Sequence, residues 1–181
     1  QRVEYEEMDK YPVMPPHAFA RVVRDLRSLN IIYQIIEPPL TKKEEEYRQE
    51  IFEIFVKSLT ASIADIDADP IAYLRTAMDK IIKSYGMKVS KKSKSKIFYY
   101  LRRDLIGYGR MDVMMNDPNV EDVSCDGTDV PIFAYHRKFE SVETTCKWET
   151  DDILESFVIK LAQRCGKHIS IAEPLLDATL M

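Results

Sequence analysis

The hydrophobic periodicity changes at Gly107 and Gly109, and that change restricts the chain to a mixed fold. Upstream of the two glycines, apolar residues recur at helical spacing. Thr41 with Glu44 three residues on is a capping-box signature, and Tyr47, Ile51, Ile54, Phe55 and Leu59 follow on one face. Asp69-Pro70 opens a second helix as N-cap and first-turn proline, with Ile71, Leu74, Met78, Ile81, Ile82 and Tyr85 as its stripe and Gly86 as its stop. A third begins near Ser90 to Ser95 and carries Ile97, Leu101 and Leu105. Downstream of Gly109 the period falls to two. Met111 to Asn116 suits one short helix, and Val120–Cys125, Ile132–His136 and Val142–Cys146 read as strands, the first two joined by a turn at Asp126-Gly127. Thr150-Asp151-Asp152 then opens a helix with the stripe Ile153, Leu154, Phe157, Val158, Leu161 and Ala162, closed by Gly166. Ile169 to Ile171 suits a last strand.

The N-terminal part is different again. Residues 1–17 contain Pro12, Pro15 and Pro16 and read as an extended lead-in, packed along something or loose. Phe19–Val23 and Ile31–Ile36 are β-rich, and Ser28 and Asn30 between them suit a hairpin that Pro38 and Pro39 terminate. The predicted fold is therefore α+β: an N-terminal β-hairpin and a helical bundle, then a small antiparallel sheet packed on helices. Residues 1–40 form the lead-in and hairpin, 41–106 a three-helix bundle, and 107–181 an α+β sheet domain.

Composition narrows the functional classes. The chain has 181 residues, with 26 Lys+Arg against 30 Asp+Glu, and 45% of it is hydrophobic. That apolar share excludes wholesale disorder, and charges interrupt every apolar run before the roughly 18 residues that a spanning helix needs. Four acidic groups and no apolar core in Gln1–Lys10 predict no targeting peptide. The net charge of −4 argues against a dedicated nucleic-acid binder. Cys125, Cys146 and Cys165, odd in number and unpaired in spacing, suit a reducing, cytoplasmic compartment.

No reactive constellation emerges. Gly166-Lys167 is the only Gly-Lys pair, but His168 stands where a phosphate loop needs a hydroxyl and Leu161 where it needs its earlier glycine. His17, His136 and His168 lack metal-ligand spacing, and His136 reads as a hydrogen-bonded edge residue. Cys125 and Cys165 read as small buried hydrophobes. Glu121-Asp122, adjacent on a strand, face opposite sides and form no acid/base pair. The expectation is no catalytic residue, no bound cofactor and no metal.

Charge leaves two features. Lys88, Lys91, Lys92, Lys94, Lys96, Arg102 and Arg103 are interleaved with Phe98, Tyr99 and Tyr100. The run reads either as a solvated helix start whose aromatics join the core, or as a footprint for acidic lipid or nucleic acid centred on Lys91, Lys92, Lys94 and Lys96. Arg137-Lys138 lies at a predicted hairpin tip, where surface and partner readings both apply.

The segments Arg103 to Asp112 and Asp117 to Gly127 resemble the N-terminal domain of the type II/type IV secretion superfamily of motor ATPases, in its archaeal branch. Val130 to Lys138, Gly166 to Asp177 and Ile36 to Thr41 are similar to it too, so the resemblance runs in patches from about residue 19 to 181. The chain departs from the family pattern at Phe139-Glu140, where an aromatic-glycine turn is usual, and at Thr145-Cys146, where Thr-Asn is favoured.

The resemblance implies a cytoplasmic homohexameric parent, peripheral to a membrane machine, whose RecA-like motor domain binds ATP and magnesium beyond Met181. Its partners would be the motor domains of its own and neighbouring subunits and a membrane platform protein, with no nucleic acid. Arg110, Arg137, Lys138 and Phe139 are the candidate interface residues. A stand-alone adaptor acting through Lys88–Arg103, and a small enzyme of unknown type, are the readings from other classes. This chain is expected to hydrolyse no ATP above background, because it lacks the groups that hold magnesium and the transferred phosphate. A turnover assay on purified protein checks this, and activity that follows the protein through purification would overturn it.

Overall fold

Helix α1 (Lys42–Ser58) starts where Thr41 and Glu44 satisfy one another. The Thr41 amide donates to Glu44 Oε2 at 2.8 Å, and the Glu44 amide donates to Thr41 Oγ1 at 3.3 Å. Two otherwise orphaned amides are thereby paired, as the capping box predicts. Helix α2 (Pro70–Ser84) begins with Asp69 accepting from the Ala72 amide at 2.9 Å, and ends at Gly86 with φ +61°. Helix α3 (Lys91–Leu105) is capped by Ser90, which accepts from the Ser93 amide at 3.1 Å. These elements belong to a computed structural model that describes residues 4–58 and 69–167. Leu59, the Ile169–Ile171 strand, His168 and most of the Gly166–Asp177 patch lie outside the described residues.

The three helices share one apolar cluster. Ile51 and Phe55 come from α1, Leu74, Met78 and Ile81 from α2, and Ile97, Phe98 and Leu101 from α3. Each such side chain contributes roughly 1.5–3 kcal/mol on full burial. The buried arc of α2 is narrower than its sequence stripe. Leu74, Met78 and Ile81 are covered, whereas Ile71 and Tyr85 at the ends are exposed.

Among the described residues six strands form a single sheet: β1 (Tyr5–Met14), β2 (Ala18–Asp25), β3 (Ile31–Ile36), β4 (Val120–Ser124), β5 (Pro131–His136) and β6 (Glu140–Lys147). Their order is β1-β2-β3-β6-β5-β4. The expected antiparallel meander is present, with Ala134 opposite Val142 and Val123 opposite Ala134. The sheet as a whole is mixed, because β3 pairs with β6 in parallel, Ile32 opposite Glu143 and Tyr33 opposite Thr144. Parallel neighbours need a long crossover, and the helical block between β3 and β6 supplies it. Two further expectations change. The lead-in is a full strand, β1, whose Glu6 and Glu7 pair with Arg24 and Arg21. The β4–β5 connection runs over residues 125–130 instead of closing at Asp126-Gly127, although Gly127 does supply a φ of +135°.

The chain forms two compact units from interleaved stretches: Gln1–Glu6, Val23–Gln34 and Asn119–Met181, as far as these are described, and Glu7–Val22 with Ile35–Pro118. In the first, Ile132 and Ala134 of β5 and Val142 and Cys146 of β6 are buried at alternate positions, and Trp148 stacks on Phe157 of helix α5 (Asp151–Arg164) at 4.7 Å. Cys125 is exposed, contrary to expectation, because β4 ends one residue earlier and the alternation lapses. His136 is likewise no edge residue. It closes the internal strand β5 and is 2% exposed.

In the second unit, Gly107 lets α3 turn into a 3-10 turn (Gly109–Met111) and the short helix α4 (Asp112–Met115). The Asp112 carboxylate is buried and accepts from the Tyr108 amide at 2.9 Å and from Arg102 Nη2 at 3.2 Å. A Cβ on Gly107 would lie 2.3 Å from Asp112 Oδ1 and 2.8 Å from the Arg103 carbonyl. Gly107→Ala is therefore expected to lower unfolding free energy by roughly 2 kcal/mol through overpacking beside a buried charge. Urea denaturation measures it, and an unchanged midpoint would contradict this account.

Candidate functional site

The basic run of α3 divides into groups with different tasks. Lys96, Tyr99, Tyr100 and Arg103 fall at i, i+3, i+4 and i+7, so they share one helix face. That face holds the segment after β3. Lys96 Nζ donates to the Pro39 carbonyl at 2.9 Å, the Tyr100 hydroxyl to the Pro38 carbonyl at 2.8 Å, and the Tyr99 hydroxyl to Glu37 Oε1 at 2.7 Å. Arg103 Nη1 reaches both Glu37 oxygens, at 2.7 and 2.9 Å, while its Nε donates to Asp104. Asp104 also accepts from Arg48, which Glu45 holds from the same helix.

The electrostatics follow from this geometry. Burial pushes the Tyr100 hydroxyl up to about 12, and burial with the Glu37 charge raises Tyr99 as well, so both stay protonated donors. Burial opposes the Arg103 charge, but Asp104 and Glu37 outweigh it and raise its pKa. Arg48 is raised and Glu45 lowered by their mutual hydrogen bond.

Of the four lysines proposed as a basic patch, only Lys91 and Lys92 are open. Lys94 pairs with Asp79 at 2.6 Å, and Lys96, 15% exposed at its side chain, pairs with Glu44. The run is thus no continuous footprint. Its interleaved aromatics are hydrogen-bonding and core residues, as the solvated-helix reading expects.

The candidate interface residues also separate. Arg110 is half-buried in the 3-10 turn of the second unit. Arg137, Lys138 and Phe139 together make the β5–β6 turn of the first. There the Phe139 amide donates to the His136 carbonyl at 3.2 Å and the Lys138 amide to His136 Nδ1 at 3.1 Å. The His136 ring lies between Phe139, at 5.0 Å, and Tyr33, at 6.4 Å. Arg137 is exposed and bonds Glu121 at 3.0 Å across the strand pair, and Lys138 Nζ sits 5.0 Å from the Phe139 ring. Glu121 and Asp122 are both exposed beside an irregularity in the β4 register. Glu140 adopts φ +59°, the left-handed backbone that favours glycine.

Two features escaped the sequence reading. His136 acts as the pivot of the turn, and no spacing marks it. The donor face of α3 is marked by the helical period of Lys96, Tyr99, Tyr100 and Arg103, which the surrounding charge run masks. Among the described residues no group of three or more His, Cys, Asp or Glu side chains is placed to hold a metal, and no helix is long and apolar enough to cross a membrane.

No protein-family model matches the chain. Three proteins of Methanocaldococcus jannaschii are similar to it. The uncharacterized protein MJ1288 is 38% identical over 82% of this chain, MJ0900 is 26% identical over 82%, and MJ0781 is 30% identical over 69%. The matched stretch spans 59%, 30% and 16% of these relatives' lengths, respectively.

Glu44 gives the helical block a defined pH dependence. The Lys96 ammonium, and then the Thr41 amide, hold its carboxyl down to about 2 from an ordinary 4.5. A depressed pKa contributes stability above the unfolded value and loses it as pH falls toward the folded one. Glu44→Gln keeps the cap but removes the charge, so wild type should exceed it in unfolding free energy at neutral pH. The difference should shrink between pH 4.5 and about 2. Urea titrations across that range check the sign, and a constant difference would refute it.

Proposed function

We propose that this chain is the N-terminal, non-catalytic module of a hexameric secretion or pilus-assembly ATPase of the archaeal type. It acts on the cytoplasmic side of a membrane machine. There it packs on the motor domains of its own and neighbouring subunits and couples their ATP hydrolysis to a membrane platform protein. ATP and magnesium belong to the motor domain. The net charge of −4 gives no reason to invoke nucleic acid.

The observation that carries the reading is the ordered set of patches, Arg103 to Gly127 and Val130 to Lys138, in which the chain resembles that superfamily. The relatives support it in one respect. In MJ0900 and MJ0781 the matched stretch is a minor part of a much longer chain, as a module in a multidomain machine would be. The β5–β6 turn supplies a suitable contact, since it presents two cations and an aromatic on a turn braced from below by His136. Ring interfaces that shift during a nucleotide cycle favour such mixed contacts over a dry one.

The test is Arg137→Ala with Phe139→Ala in the full-length parent. Anchors of this kind cost upwards of about 1 kcal/mol at an interface, so assembly is expected to weaken about tenfold and ATP turnover to fall with it. A normally folded double mutant with unchanged assembly and turnover would remove the turn from the mechanism.

A further inference from the structure

A cavity of about 680 Å³ opens in the unit built from Glu7–Val22 and Ile35–Pro118, between the β1–β2 turn, α2 and α3. Its size is that of a small-molecule site, for which roughly 300–1,000 Å³ is usual. The lining is one-sided in charge. Arg75, Lys91, Lys94 and Arg102 contribute cations and no carboxylate among the described residues lines it, in a chain that carries more acidic than basic residues overall.

The four cations are not equivalent. Lys94 is engaged by Asp79 and Arg102 by Asp112. Arg75 has no acidic partner among the described residues and lies over the Phe98 ring, 4.1 Å from its centroid, which leaves the edge of its guanidinium open to an anion. Lys91 is exposed in the first turn of α3 and has no ion pair among the described residues. Beside it, Ser95 Oγ and His17 Nε2 form a polar pair at 3.0 Å. Val13, Met14 and Met78 add apolar surface to the same cavity. Two cations without acidic partners among the described residues, on two different helices, thus meet one apolar wall.

We propose that this cavity binds a phosphorylated small molecule. Its phosphoryl oxygens are held by Arg75 and Lys91, and its apolar body lies against Met14, Met78 and the Val13 edge. Arg75 suits the role because its planar fork matches phosphate oxygens, and the helix N-terminal charge beside Lys91 acts in the same direction. The site is independent of the proposed motor role, since none of its residues lies in the β5–β6 turn.

Phenyl phosphate is the probe, titrated calorimetrically into the 181-residue chain and followed in parallel by the imidazole proton resonances of His17. The expected result is saturable binding that moves the His17 signals. Arg75→Gln with Lys91→Gln should weaken it at least about tenfold, whereas Lys92→Gln, on the same helical turn but outside the cavity, should leave it within about twofold. Both replaced positions are solvent-exposed, so the double variant is expected to retain its unfolding midpoint. Absence of saturable binding up to about 10 mM, equal binding by the double variant, or binding that leaves the His17 resonances in place would each overturn the proposal.

Discussion

The grip of α3 on Glu37-Pro38-Pro39 is the interaction on which the helical unit depends. Two successive prolines end β3 because neither can donate to a sheet ladder, and their ring constraints hold the chain extended. Their carbonyls and the Glu37 carboxylate still need donors. Lys96, Tyr99, Tyr100 and Arg103 provide them from one stripe of α3. The same helix buries Ile97, Phe98 and Leu101 in the apolar cluster with α1 and α2. Helix α3 is therefore fixed on two faces by two kinds of force. Dispersion and water release act on one face, and charge-assisted hydrogen bonds on the other. A helix held in this way cannot slide by a turn without breaking several hydrogen bonds together, which sets its register against the segment that enters α1.

That arrangement consumes charge. Of the cations on α3, Lys94, Lys96, Arg102 and Arg103 have carboxylate partners, and only those near the first turn remain for anything else. A count of lysines and arginines in a window therefore overstates the field that the window presents. The local field is set by the cations left over once internal carboxylates are neutralised. Exposed pairs such as Arg137 with Glu121 contribute little to stability, so they leave a side chain free to change partners at small cost. The Lys96–Glu44 and Arg103–Glu37 pairs on α3 are largely covered, and exchanging their partners would strand a half-buried charge.

Local chemistry was legible in the sequence and long-range pairing was not. The caps at Thr41 and Asp69 could be read because each is complete within four residues. The helical stripes and the β5–β6 alternation could be read because burial imposes a period on neighbours. The parallel pairing of β3 with β6 could not, since residues more than a hundred positions apart leave no mark on each other's spacing. β1 was obscured for another reason. Its charged residues are those of an edge strand, and edge strands carry charge that discourages further pairing, so it lacks a clear apolar alternation. Cys125 shows the limit of period-based reading: an alternation extended one residue past the strand end turns an exposed thiol into a core residue.

The β5–β6 turn holds a non-glycine residue in a backbone that favours glycine. Glu140, at φ +59°, accepts a backbone conformation that costs an L-residue roughly 1–2 kcal/mol relative to glycine. Something must hold it there. The Phe139 amide bond to the His136 carbonyl closes the turn, the Lys138 amide bond to the imidazole ties its tip, and ring contacts on both sides of His136 fix the pivot. Since His136 ends a strand with neighbours on both sides, its position is set by the sheet and not by the turn. The directions taken by Arg137 and Lys138 are then inherited from the most buried part of that unit. Bending the turn therefore requires displacing a buried histidine first.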